Sequence, residues 1–270
     1  ELERQFCEGG DGSIAPRDSL NTCYVACDKT VDDVAHSTSV TSTNDDSRGM
    51  WNNGEYETCE YTLTCEAGYT PVPGATPACN PVKYTVYLDK NGGTGDVAES
   101  VQCTFDSGSC TLPVNRALSR PGYLPLYKWC TDKAGNGTCY TAGSNVAENL
   151  SADGSNVTLY AAWQPNIFEI TISADGTDQA ADPQTVYLKY ATGWYLDGGE
   201  VQKITSLNTN PTLAGYTFVG VNTEQDNSGV MIVDSTGKFL TTEEALTAVT
   251  ANAIVSPMWA AGTTACDPGY

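Results

Sequence analysis

Eleven cysteines and a single histidine are the residues from which specialised chemistry could be built in this chain. Cys7, Cys23, Cys27, Cys59, Cys65 and Cys79 lie in residues 1–82, Cys103, Cys110, Cys130 and Cys139 in residues 83–164, and Cys266 stands alone near the end. Even counts within segments mark disulfides formed in an oxidising compartment. A zinc site would need CxxC pairs or more histidine, and neither is present, so no metal is expected. His36 sits beside a polar stretch with no motif around it, which makes it a surface histidine rather than the base of a triad. Paired carboxylates can run glycoside hydrolysis, but 33 acids spread over turns and loops are what any soluble acidic chain carries. The run Asp89–Asp96 has the outline of a calcium loop, yet Thr94 and Ser100 occupy the positions that need Gly and Glu, and a β-turn explains it better. No catalytic residue, cofactor site or metal ligand is therefore expected. The one weak ligand signal is aromatic. Trp51, Tyr56, Trp194 and Tyr195 fall in Gly- and Asn-rich turns, where exposed rings can stack on a sugar.

Composition limits the partners. The 270 residues carry a net charge of −20, with 17% charged and 40% hydrophobic residues. Most of that charge is at the two ends, since residues 83–164 are close to neutral. Binding to nucleic acid requires clustered Lys and Arg, so nucleic acid is excluded as a partner, and anionic lipid is disfavoured for the same reason. No apolar run reaches the roughly 18 residues needed to cross a bilayer. The N-terminus lacks the basic start and apolar stretch of a signal peptide, so export implies a signal already removed.

The elements that would hold these residues are short strands and turns. Tyr84–Leu88 and Phe168–Ile172 alternate apolar and polar residues as strands do, and each opens a block. The first block closes on Val157–Trp163 and the second on Ala253–Trp259. A Gly-Tyr pair, Gly122-Tyr123 or Gly215-Tyr216, precedes each closing Trp by about 42 residues, which reads as two copies of one unit. In the first block Cys103–Cys110 and Cys130–Cys139 each read as a hairpin clamped by its own disulfide, worth roughly 2–3 kcal/mol apiece. The second block has no clamp. It carries the one helix signal, Thr241–Leu246, with Thr241 and Glu244 at capping-box spacing. Tyr123, Trp163, Tyr216, Phe218 and Trp259 are expected to be buried, and so is Trp129. The run Ser37–Arg48 has no periodicity and reads as a long exposed loop.

The opening strand, Asn91-Gly92-Gly93-Thr94, Leu112-Pro113, Gly122-Tyr123 and Leu159-Tyr160-Ala161-Ala162-Trp163 resemble the Listeria–Bacteroides repeat, the B-repeat of internalin-type surface proteins. Gly215–Gly220 is similar to that family's central motif. The first copy departs from it by one extra residue around Trp129; the second has Val221 where Trp is usual and lacks the Asn-Gly-Gly turn. The resemblance implies small β-grasp-like repeats in tandem arrays on bacterial exteriors, acting as spacer or adhesive modules without catalysis. Cys65–Tyr69 followed by Cys79 resembles the last loop of an epidermal-growth-factor-like domain, which would pair Cys65 with Cys79. The pairing of Cys7, Cys23, Cys27 and Cys59 stays open.

The expected fold is mainly β, a cysteine-rich N-terminal module (1–82) followed by two small β-grasp-like repeats (83–164 and 165–261), the second with a short helix. The tail (262–270) resembles the start of another cysteine-rich module, because Cys266–Tyr270 echoes Cys65–Tyr69. The expected function is structural, as a subunit of an extracellular filament or a repeat segment of a surface adhesin. The alternative is a module that binds carbohydrate or a host protein. Partners would be other copies or adjacent repeats, with Cys266 bonded to a neighbour or buried as a free thiol. The six bases of residues 83–164 are expected near acidic surface of a neighbour, unless the joint is apolar or strand-paired.

Overall fold

Alternation of apolar and polar residues sets the strands, and the chain is mainly β. The computed structural model describes residues 7–8, 14–15, 24–52, 55–108, 110–146 and 149–262. Two units share the chain. One takes Glu1–Asp89, Ala98–Pro113 and Tyr140–Leu159; the other takes Lys90–Val97, Val114–Cys139 and Tyr160–Tyr270.

The N-terminal residues supply β1 (Cys7–Glu8), β2 (Ile14–Ala15), β3 (Tyr24–Ala26), β4 (Ser37–Ser42), β5 (Arg48–Asn52), β6 (Glu55–Tyr56), β7 (Tyr61–Cys65), β8 (Tyr69–Val72) and β9 (Ala78–Pro81). They form small sheets: β1-β2, β3-β5-β6, β4-β7 and β8-β9. The expected loop at Ser37–Arg48 is corrected here, because Ser37–Ser42 is a strand paired antiparallel to β7. Its polar residues are satisfied across the ladder, with the Thr38 and Ser39 hydroxyls each 2.7 Å from the Thr64 hydroxyl. Val40 faces the buried Leu63. Cross-strand hydroxyl and β-branched pairs thus replace the periodicity the sequence lacks.

Next come β10 (Lys83–Asp89), β11 (Ser100–Thr104), β12 (Cys110–Thr111), β13 (Tyr123–Cys130), β14 (Cys139–Thr141), β15 (Asn145–Val146) and β16 (Val157–Pro165). Five of them form a sheet in the order β11-β10-β16-β13-β14, and β12 pairs with β15. Tyr84, Val86 and Leu88 point inward from β10, and Leu159 and Ala161 from β16. The Cys103–Cys110 bond exists, with Cα atoms 5.1 Å apart, but it does not close a hairpin. Cys103 sits on β11 opposite Tyr84, while Cys110 sits on β12 opposite Val146, so the bond staples two sheets. Cys130 and Cys139 are bonded across neighbouring strands β13 and β14, beside a Thr131 N–H to Thr138 carbonyl bond of 2.9 Å.

The Asn-Gly-Gly turn packs on a tryptophan. The Trp163 indole N–H donates to the Lys90 carbonyl at 3.0 Å, and a Cβ on Gly93 would lie 2.4 Å from the indole ring. The Asn91 amide donates to the carbonyls of Lys133 and Ala161. A larger residue at position 93 would lift the turn off the ring.

The last sheet contains β17 (Ile167–Ile172), β18 (Thr185–Lys189), β19 (Gly193–Tyr195), β20 (Tyr216–Asn222), β21 (Met231–Val233) and β22 (Ala253–Ala261), in the order β19-β18-β17-β22-β20-β21. Its first and last long strands, β17 and β22, are adjacent and parallel, the central arrangement of a β-grasp. Phe168, Ile170, Ile172, Val186, Leu188, Val221 and Phe239 pack beneath it. The helix α1 is only Glu243–Leu246, and it buries Ala245 and Leu246. Its N-cap is Thr242 and not Thr241: the Thr242 hydroxyl accepts from Ala245 N–H at 3.3 Å.

Strand registers in the two larger sheets coincide. Tyr123, Leu124 and Pro125 pair with Pro165, Gln164 and Trp163, while Tyr216, Thr217 and Phe218 pair with Ala261, Ala260 and Trp259. A bulge follows in each. On β13 the ladder resumes at Trp129 opposite Ala161, and on β20 at Gly220 opposite Met258 and then Val221 opposite Pro257. Trp129 and Val221 therefore occupy the same station, each opposite the residue two before the closing tryptophan, and both are fully buried. The extra residue on β13 is absorbed in its bulge, where Tyr127 takes a left-handed φ of 53° and is 41% exposed.

Of the aromatics expected to be buried, only Trp129 is fully so. Tyr123, Trp163, Phe218 and Trp259 are half-buried, but Tyr216 is 53% exposed. Trp129→Ala is expected to cost about 3–5 kcal/mol in denaturant unfolding, whereas Tyr216→Ala should stay within about 0.5 kcal/mol. Equal losses would contradict this packing.

Acid should act through the turns. Asp197 accepts N–H bonds from Gln202, Val201 and Gly199, and these, the Gln202 bond foremost, hold its carboxyl below the ordinary range. A depressed folded pKa gives stability that is present above the ordinary value of about 3.9 and is lost as pH falls through the folded one. Thermal melting of Asp197→Asn is therefore expected to depend less on pH below about 4 than that of the parent chain.

Candidate functional site

Two places where one sheet's last strand runs into the next sheet's first are built alike. At the first, β9 passes into β10 through Val82. The Val82 N–H donates to the Gly68 carbonyl at 2.9 Å, and the Val82 carbonyl accepts from Phe105 N–H at 2.9 Å. Gly68 has φ +91°, and a Cβ there would lie 2.2 Å from the Phe105 ring. The ring meets Tyr69 edge-on, with centroids 5.5 Å apart and planes at 74°.

At the second, β16 passes into β17 through Asn166. The Asn166 N–H donates to the Gly122 carbonyl at 2.9 Å, and the Asn166 carbonyl accepts from Tyr190 N–H at 2.9 Å. Gly122 has φ +78°, and a Cβ there would lie 2.4 Å from the Tyr190 ring. Tyr190 meets Tyr123 edge-on, centroids 5.3 Å apart and planes at 75°. In both cases the glycine is required twice, by its left-handed backbone and by the ring laid on its Cα.

Each receiving tyrosine is also covered on another side. His36 stacks on Tyr69 with centroids 4.0 Å apart, and its Nδ1 lies 3.1 Å from Glu66. The Tyr69 hydroxyl donates to Asp106 at 2.8 Å. Desolvation, and then that carboxylate, push the Tyr69 phenol above its ordinary pKa. The Arg120 guanidinium lies 3.9 Å from the Tyr123 ring centroid. An edge-to-face pair adds about 0.5–1.5 kcal/mol beyond area burial, and a cation over a ring about as much again.

The remaining expected residues are distributed as follows. Cys65 and Cys79 are bonded, and Cys27 pairs with Cys59. Cys7 lies on β1 opposite Ala15; Cys23 and Cys266 lie outside the described residues, as does the side chain of Trp51. Tyr56 is half-buried on β6, its backbone paired with Trp51. Trp194 and Tyr195 are corrected: they belong to strand β19, are only 3% and 5% exposed, and are no platform. The Trp194 indole N–H donates to the Leu240 carbonyl at 2.8 Å and its ring lies tilted on Phe239, at one wall of a cleft of about 310 Å³. The glycine-rich sequence around Trp194 reads as a turn, but the strand pairing of Leu188 with Trp194 turns the ring into the core.

Three of the bases of residues 83–164 lie over tyrosines of the same chain: Arg116 over Tyr127, Arg120 over Tyr123 and Lys133 over Tyr160. Among the described residues, no group of three His, Cys, Asp or Glu side chains is placed to hold a metal ion. No helix among them is long and apolar enough to cross a membrane.

Sequence reasoning missed Phe105, Tyr190, Val82 and Asn166. A signal was present. Gly-Tyr occurs at 68–69 as well as at 122–123, and an aromatic follows each linking residue by 23 or 24 positions.

Comparison with known proteins assigns part of the chain. Residues 84–162 match the family model of the Listeria-Bacteroides repeat domain. A protein of Evansella cellulosilytica described as a Gly-rich membrane protein is 30% identical over 128 residues, covering 43% of this chain and 14% of its own length. The chain thus spans about a seventh of that relative.

Gly215 provides a control for the glycine contacts, since it has φ +79° but nothing within 4 Å of the position a Cβ would take. Gly122→Ala and Gly215→Ala should share the backbone cost, and Gly122→Ala should cost about 1–3 kcal/mol more because the ring must move. Chemical denaturation of the two variants measures the difference; equal losses would mean that the Tyr190 ring does not rest on the glycine.

Proposed function

We propose that this chain is a non-enzymatic structural protein of the bacterial cell exterior, whose modules are locked in series. It acts either as a subunit of an extracellular filament or as a repeat segment of a surface adhesin. The observation that carries the reading is the repeated junction, in which backbone bonds and a ring on glycine tie one sheet to the next at Val82 and again at Asn166. A chain that serves as a strut needs fixed joints; a string of independent binders does not.

Residues 165–261 are, in this reading, a second copy of the repeat. The coincident registers of β13–β16 and β20–β22 support it, as does the shared station of Trp129 and Val221. Residues 1–82 form a cysteine-rich module ending in the β8-β9 hairpin, with the epidermal-growth-factor-like resemblance confined to Cys65–Cys79. The exterior location draws on the repeat family, the membrane description of the Evansella protein and the four disulfides among the described residues. The burial of Trp194 and Tyr195 weighs against a carbohydrate module.

Limited proteolysis tests the reading. Native chain is expected to resist cleavage around Val82 and Asn166 for as long as it resists cleavage within β10 or β17. Rapid cutting at either link with intact flanking sheets would describe beads on a flexible string and overturn the strut. Saturable binding of the native chain to a glycan array would favour the binding alternative.

A further inference from the structure

The junction geometry occurs a third time with one part missing. Tyr69 pairs with Pro81 just before Val82, Tyr123 pairs with Pro165 just before Asn166, and Tyr216 pairs with Ala261 just before Gly262. The Gly262 N–H donates to the Gly215 carbonyl at 2.8 Å, as Val82 and Asn166 do to Gly68 and Gly122. Gly215 has φ +79°, against +91° and +78° at the other two. What differs is the covering ring. Gly68 and Gly122 are buried, whereas Gly215 is exposed with nothing described within 4 Å of its Cβ position, and Tyr216 is 53% exposed.

We propose that Gly215, Tyr216 and the Gly262 carbonyl form an open socket for the first β-hairpin of a following module. The occupant is a Phe or Tyr at the end of that hairpin's second strand. Its ring lies on Gly215 and edge-on to Tyr216, and its backbone N–H donates to the Gly262 carbonyl. Both filled sockets define this chemistry. Phe105 follows the Lys83–Thr104 pair and Tyr190 follows the Ile167–Lys189 pair, each the last rung of the hairpin that opens the next sheet. The aromatic comes 23 residues after Val82 and 24 after Asn166, so its counterpart after Gly262 falls outside residues 1–270. The backbone of Gly215 alone calls for glycine; what sets it apart from Gly68 and Gly122 is that no described ring covers it while Tyr216 beside it faces solvent.

This inference rests on the reading of the junctions as fixed joints, and one experiment separates the two. The full chain is compared with a chain in which a copy of residues 167–262 follows Gly262, and with the same extension carrying alanine in place of the copied Tyr190. Nitration of Tyr216 by tetranitromethane is followed by mass spectrometry. The extension is expected to slow nitration by about two- to tenfold, the factor that an edge-to-face pair is worth, and the alanine version to restore it. An extension by residues 83–164, which presents the copied Phe105, serves as a second probe should the first fold poorly. Unchanged Tyr216 reactivity in folded extended chains overturns the socket. So does protection in the unextended chain: at every concentration it would mean that residues 263–270 fill the site, and only at high concentration that a second copy does. In the parent chain, Tyr190→Ala should speed nitration of Tyr123 by a similar factor. If it does not, the joint reading itself falls; if it does while Tyr216 stays reactive, only the third socket falls.

Discussion

A flat ring resting on a bare Cα is the contact on which the serial arrangement depends. It requires glycine, because any side chain would occupy the ring's place, and it requires the left-handed backbone, which aims the glycine carbonyl at the linking residue. The linking residue then donates N–H to one sheet and offers C=O to the next. Two backbone hydrogen bonds and one edge-to-face ring recur at both passages; at the second, the Asn166 amide oxygen also accepts from Ile167 N–H at 2.9 Å. The two bonds that recur use only the link's backbone, so they form with Val in one place and with Asn in the other. The information lies in the Gly-Tyr pair upstream and in the aromatic downstream.

Within each sheet, stability comes from different sources. Residues 83–164 have one disulfide joining β11 of the larger sheet to β12 of the smaller, another between β13 and β14, and an Asn-Gly-Gly turn packed on Trp163. The last sheet has none of these. Instead it encloses a continuous apolar cluster from Phe168 to Val255, filled out by Trp194 from β19 and by Phe239 from the connection after β21. Each fully buried aliphatic side chain contributes about 1.5–3 kcal/mol, so a few additional ones offset a missing covalent staple. Covalent closure and added core are alternative solutions to the same difficulty, the small interior of a domain of this size.

Much of this was legible in the sequence where local pattern and tertiary role agree. Tyr84–Leu88 and Phe168–Ile172 alternate because one face is buried, and they are strands. The extra residue near Trp129 is found as a bulge, since the strand must return to register before its tryptophan enters the core. Legibility failed where partners are distant. Ser37–Ser42 has no apolar period, and its ladder with β7, with hydroxyl pairs to Thr64 and Val40 opposite Leu63, makes it a strand. Cys103 and Cys110 flank a good turn, but Cys110 pairs with Val146 across β12–β15, a partner 36 residues further along the chain that no local pattern announces. The Gly-Trp-Tyr run looked like an exposed turn because glycine marks turns, whereas here it admits a strand whose aromatic residues face inward. The joint rings were missed for the same reason: Phe105 and Tyr190 act on glycines that precede them by 37 and 68 residues.

The parallel pairing of β17 with β22 has a mechanical meaning. Ile170, Thr171 and Ile172 face Ala253, Ile254 and Val255 at the centre of the sheet, and these two strands are the ones by which the chain enters and leaves it. Tension applied along the polypeptide draws the two strands in opposite directions along their own length. The hydrogen bonds between them run across the pull and bear the load together, instead of opening one after another as in a hairpin peeled from its end. A polypeptide anchored at one end and loaded at the other would find its strongest resistance at this seam.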